Sequence, residues 1–162
     1  MNEGLSFSEA IKTCYQKIFI INTRACRSEF WYFVIFAFVA HLVLSFCTVF
    51  PIIGELIGSL GSLIIIIPFI TVSIRRMHDL DKSGLWLLLP ALLITLALFL
   101  ILYGAFATAG ILFFLGIVLT LASAVSVILL ALLLAHPGTP GQNRFGPDPF
   151  QHKIPFSFKP WE

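Results

Sequence analysis

At 162 residues the chain is the size of one domain, yet its residues are 59% hydrophobic and only 11% charged, with a mean hydropathy of +0.99, whereas a soluble domain is about 45–50% apolar and about 25% charged. That composition excludes an ordinary soluble protein and points to a membrane-embedded one. A net charge of +2 without a dense Lys/Arg run also argues against nucleic acid as a partner.

The start, Met1 to Lys17, lacks the short apolar core and small-residue cleavage site of a removable signal peptide, so the first span is expected to act as its own insertion signal. Ser6-Phe7-Ser8-Glu9 has the form of a capping box. Phe7, Ile11, Cys14, Tyr15, Ile18 and Phe19 then recur at three- and four-residue steps. This predicts an amphipathic helix over residues 6–21, too polar to span and suited to the headgroup plane.

Arg24-Ala25-Cys26-Arg27-Ser28-Glu29 leads into Phe30-Trp31-Tyr32 and an apolar run, the order met on passing from cytosol into a bilayer. A first span is expected over 30–50, capped by Ser28, with a turn at Pro51 and Gly54-Glu55. A second span, 56–74, carries Gly54, Gly58 and Ser62 four residues apart at its start, a stripe for close helix approach, and Pro68 in its middle. Next comes a charged island, Arg75 to Gly84, in which seven of ten residues are charged, hydroxylated or imidazole-bearing. From Leu85 to Ala135 there is no charge; one helix of that length would be more than twice the roughly 30 Å hydrocarbon core. The chain must turn back at the Gly/Ala-rich stretch Tyr103–Gly110, giving spans at 85–102 and 111–135. Trp86 and Tyr103 then fall at opposite interfaces, and Thr120/Ala124 and Ala122/Ser126 offer close-packing pairs. The tail, 136–162, is Pro-rich. The predicted fold is all-α: one polytopic membrane domain of four transmembrane helices plus an N-terminal amphipathic interfacial helix.

With four spans, both termini and the island share one side, and that side holds all ten Lys and Arg residues. The positive-inside rule makes it the cytoplasm. Cys14, Cys26 and Cys47 show neither a Cys-x-x-Cys pair nor a Cys/His spacing, which predicts reduced structural thiols rather than a disulfide framework or a metal site. No cofactor is indicated.

Three motifs stand at that cytosolic face: Arg24-x-x-Arg27-Ser-Glu29-Phe-Trp31, Arg75-Arg76-Met-His78-Asp79-x-x-x-Ser83-Gly84-x-Trp86, and Gly138-x-x-Gly141-x-Asn143-Arg144-Phe-Gly146-Pro-Asp148-Pro149. In order and spacing, over roughly residues 6 to 150, the chain resembles the YhaH-like bacterial inner-membrane proteins, the domain-of-unknown-function family 805. Met77 and Leu85 depart from that pattern, standing where leucine and a second tryptophan are commoner. The resemblance implies a four-span inner-membrane protein with cytoplasmic termini and brings no activity with it.

These motifs predict a polar cluster of Arg24, Arg27, Glu29, Arg75, Arg76, His78, Asp79, Ser83, Asn143, Arg144 and Asp148, with Glu29, Asp79 and Asp148 accepting from arginines in bidentate fashion. Such a cluster either pins helix ends and loop together or forms a site for an anionic lipid headgroup or a phosphate-bearing small molecule. His78-Asp79 has the composition of a general base with its orienting carboxylate, but neighbouring helical residues point in different directions and no nucleophile or metal partner stands at a matching spacing. No catalytic residue is assigned. His41, near the middle of the first span, is a candidate intramembrane polar site, read first as helix glue bonded to a facing Ser or Thr such as Ser123, Ser126 or Thr120 and only second as part of a transport path. The expected function is a non-enzymatic membrane scaffold or binding protein, with the bilayer, anionic headgroups and a second copy of the chain as candidate partners. A small oligomeric transporter or channel is the first alternative, and an enzyme acting on lipid headgroups the second.

Overall fold

A computed structural model of the chain describes residues 4–47, 49–50 and 52–149; the expectations for Pro51 and for the tail beyond Pro149, with Lys153 and Lys159, lie outside these residues. The described residues form five α-helices: α1 Phe7–Gln16, α2 Arg27–Cys47, α3 Ile53–Asp79, α4 Leu88–Phe106, entered through a single 3-10 turn Gly84–Leu87, and α5 Gly110–Ala135. No β-strand occurs among them. Four stretches, Arg27–Cys47, Ile53–Asp79, Gly84–Phe106 and Gly110–Ala135, are long and apolar enough to cross a bilayer. Leu, Ile, Val and Phe side chains along them are exposed in large numbers, as expected where lipid is the solvent.

The spans begin and end in more polar sequence than hydropathy suggests. α2 starts at Arg27 rather than at the first aromatic residue, and α3 runs on through Arg75, Arg76, His78 and Asp79 instead of stopping at 74. Hydropathy marks where lipid ends, while a helix ends where its hydrogen bonds find other partners. The first half of the island, Arg75–Asp79, is therefore helix. α3 closes at Leu80–Lys82, where Asp81 N–H donates to His78 O and Lys82 N–H to Met77 O, with Asp81 at φ 55°. Aspartate tolerates this left-handed conformation better than most residues. Pro68 lies buried inside α3 without ending it.

α1 has the expected capping box: Ser6 Oγ accepts from Glu9 N–H, and the Glu9 carboxylate accepts from Ser6 N–H at 2.9 Å. It ends at Gln16, sooner than expected, because Ile18 gives its carbonyl to Thr71 Oγ1 of α3 at 2.8 Å. Ala10 and Cys14 are buried. Phe7 meets Tyr32 edge-on, and Tyr15 meets Phe33 and Phe36 in the same way, so α1 spends much of its apolar face on α2. Ser28 does not cap α2 as expected; its hydroxyl accepts from Leu5 N–H at 3.1 Å, tying the chain start to the helix.

The described residues pack as two compact units. One holds α1, α2, α3 and the loop from Pro137 onward. In it Gly54 and Gly58 are buried on α3, as the small-residue stripe implies.

The other unit, Ser83–His136, is the α4/α5 hairpin. Its close approach depends on glycine rather than on the Thr/Ala and Ala/Ser pairs. A Cβ on Gly104 would stand 2.5 Å from Phe113 N, a backbone atom that cannot swing aside. Gly104→Ala is expected to cost about 1–3 kcal/mol by overpacking, lowering the thermal midpoint in detergent. Gly110→Ala, where a Cβ meets nothing within 4 Å, is the matched control.

Candidate functional site

Three arginines and two carboxylates are buried at one end of the α2/α3 pair. Asp79, on the last turn of α3, is shared: Arg24 Nε and Nη2 both reach its Oδ1, at 2.9 and 2.8 Å, while Arg76 Nη1 meets Oδ2. The side chains are at most 3% exposed. Glu29, in the first turn of α2, accepts from Arg75 Nη1 at 2.6 Å. The expected bidentate forks are not what forms, because Asp79 serves a different arginine on each oxygen and Glu29 is met through one oxygen.

Arg24 also donates to the loop after α5, through Nη2 to Thr139 O and through Nη1 to Gly141 O, both at 2.5 Å, and to Gly146 O at 3.4 Å. Its whole donor edge is thereby used inside the protein. The loop returns the contact by meeting carbonyls at the end of α3, which helices otherwise leave open. Thr139 N and Oγ1 donate to Asp79 O at 2.8 and 3.1 Å, and Asn143 Nδ2 donates to His78 O at 2.9 Å. Asp148 Oδ2 accepts from Gly141 N–H at 3.3 Å, inside the loop.

His78 and Asp79 do not work on each other. The His78 ring stacks flat on Phe145, centroids 3.8 Å apart and planes 3° off parallel, and Arg144 lies over the same Phe145 ring at 4.7 Å. Arg144 is 60% exposed and pairs with Asp81 at 3.1 Å; Arg27 is exposed as well. Ser83 belongs to the other unit, where its hydroxyl caps the 3-10 turn through Leu85 N–H. Among the described residues no three His, Cys, Asp or Glu side chains are grouped to hold a metal ion.

Arg75 is fully buried, and its Nε and Nη2 have no hydrogen-bond partner among the described residues. Beside it Cys14 Sγ lies 3.9 Å from Glu29 Oε1. Burial first, and the neighbouring Glu29 charge second, push the Cys14 thiol up from 9.0 to about 12, against the pull of Arg75. The thiol keeps its proton in the fold beyond the pH at which an unfolded thiol would ionise. Its contribution to stability is whole below about pH 9 and is lost as the pH climbs towards about 12. Maleimide at about pH 8 is expected to leave Cys14 unmodified until the protein is denatured.

His41 Nδ1 lies 3.3 Å from Ala37 O of its own helix. The hydroxyls of Ser123, Ser126 and Thr120, in the other unit, donate to Pro90 O, Ser123 O and Gly116 O. His41 and Glu55 line one open groove between α2 and α3.

Several residues that build the site were not singled out from the sequence: Thr139, Phe145, Cys14 and Gly138. Phe145 and Gly138 lie inside the third motif, which was the available signal. The model of the family described as protein of unknown function DUF805 matches residues 18–147. The chain belongs to the DUF805 family. Two relatives, each named inner membrane protein YhaH, from Escherichia coli K12 and Escherichia coli O157:H7, are 29% identical over 131 residues, covering 78% of this chain and 84% of theirs. No solved structure matches the chain. The DUF805 match takes in α2 through α5 and ends within the loop that holds Asn143 and Phe145.

Proposed function

We propose that this DUF805 protein is a bacterial inner-membrane scaffold or binding protein without enzymatic activity, its termini and arginine cluster facing the cytoplasm. The observation that carries the reading is the shared Asp79, whose carboxylate two buried arginines occupy and whose main-chain oxygen accepts from Thr139 of the loop. Charges paired in this way hold a shape. The positive-inside distribution supports the orientation, and the printed name of the Escherichia coli relatives supports the inner membrane.

Around this latch the free charge is positive and outward. Arg27 is exposed, and Arg144, paired to Asp81 only at the surface, gives up little in meeting another anion. An anionic phospholipid headgroup at cytosolic headgroup depth fits that rim. Native mass spectrometry from mild detergent tests this. Wild type is expected to retain phosphatidylglycerol, and the Arg27→Gln/Arg144→Gln pair to lose it severalfold while keeping its helix content. Equal retention by both proteins would end the headgroup reading.

A further inference from the structure

The α2/α3 pair carries a second polar feature at the end away from the arginine latch. His41 and Ser45 on α2, one helical turn apart, and Glu55, Ser59 and Ser62 on α3, at four- and three-residue steps, line an open cavity of about 450 Å³ together with Gly58. These steps place the polar groups as stripes on each helix. Buried Gly58 keeps that wall thin.

The chemistry of the lining is one-sided. Ser45 and Ser59 donate their hydroxyl protons to His41 O and Glu55 O of their own helices, at 2.8 and 2.7 Å, so what they offer a ligand is acceptor oxygen. With Nδ1–H given to Ala37 O, the His41 ring has Nε2 left as an acceptor. Glu55 is the lining's one carboxylate, and no side chain among the described residues pairs with it. The groove thus offers acceptors and a negative charge with no matching cation. Its volume exceeds that of a bare ion and falls in the range of small-molecule sites, about 300–1,000 Å³. Two titratable side chains are also too few for a metal cage. At 1.5 Å per residue Glu55 lies about 3 Å and Ser62 about 13 Å from the start of α3, so the groove runs from headgroup depth into hydrocarbon.

We infer that the α2/α3 groove binds a primary ammonium group, with Glu55 as counter-charge and His41 and Ser59 as acceptors for its three N–H donors. Such a group arrives either on an ethanolamine phospholipid or on a free alkylamine. The inference uses none of the latch or rim residues and stands apart from the anionic headgroup reading.

The test takes the full chain in mild detergent and offers it equal amounts of phosphatidylethanolamine and phosphatidylcholine, whose quaternary ammonium has the same charge and no N–H. Native mass spectrometry is expected to show ethanolamine lipid favoured by about fivefold or more. That preference falls to near parity in Glu55→Gln and returns in Glu55→Asp. In a parallel arm, ethylamine is added to delipidated protein and the thermal midpoint is read. An ethylamine shift abolished by Glu55→Gln, without lipid preference, supports the inference with a free amine as the source. Should Glu55→Gln lose helix content, His41→Leu is read in its place, with the same fall expected. The inference is overturned by the absence of both effects in wild type, or by their persistence in the folded variant.

Discussion

Asp79→Asn is expected to be the most damaging single substitution in the chain. The amide would leave Arg24 and Arg76 buried without their counter-charge, and breaking a buried ion pair from one side costs roughly 3–5 kcal/mol. The loop should loosen along with the stability, since Arg24 joins the Asp79 carboxylate to the carbonyls of Thr139, Gly141 and Gly146. Two measurements check it: the thermal midpoint in detergent should fall sharply, and trypsin should cut faster at exposed Arg144. Arg24→Lys is the milder comparison, since one ammonium cannot reach the carboxylate and three carbonyls together. A variant Asp79→Asn that melts with wild type would mean the cluster holds nothing.

Gly138→Ala is expected to have the next largest effect. An added Cβ would run into the Asp79 carboxylate, whose two oxygens are each pinned by an arginine. Overpacking of this kind costs about 1–3 kcal/mol, and here the easier movement is for the loop to leave. Hydrogen exchange should then accelerate at Thr139 N–H, which donates to Asp79 O in the closed form. The double variant Asp79→Asn/Gly138→Ala should fall short of the sum of the two, because the alanine methyl has less to displace once the loop is already loose.

The four spans were legible because lipid imposes length and apolarity together, and those two quantities survive in any single sequence. The capping box at Ser6 was legible for a similar reason: it is local, and Glu9 stands at the one spacing that allows it. The cluster was legible in part of its membership and not in wiring. Arg24 and Arg76 meet Asp79, and Arg75 meets Glu29, whereas Arg27 is exposed and Ser83 belongs to the other unit; which arginine takes which oxygen depends on how the helices are rotated, and no spacing records that. Asn143 was expected in the cluster for its polarity and serves it through a backbone carbonyl. Gly138 appeared as a motif letter; only the approach of Asp79 from a distant helix gives it a reason. Pro51 and Gly54-Glu55 predict a turn, whereas Glu55 lies in the first turn of α3, whose N-terminus favours a carboxylate.

The bond between Thr139 N and Asp79 O, at 2.8 Å, joins residues 60 positions apart in the chain. Everything between them has to be synthesised before it can close. While the ribosome is still adding α4 and α5, the end of α3 has its arginines and carboxylates but lacks the loop that satisfies Arg24. A chain cut short before residue 139 would therefore leave Arg24 without the carbonyls of Thr139, Gly141 and Gly146.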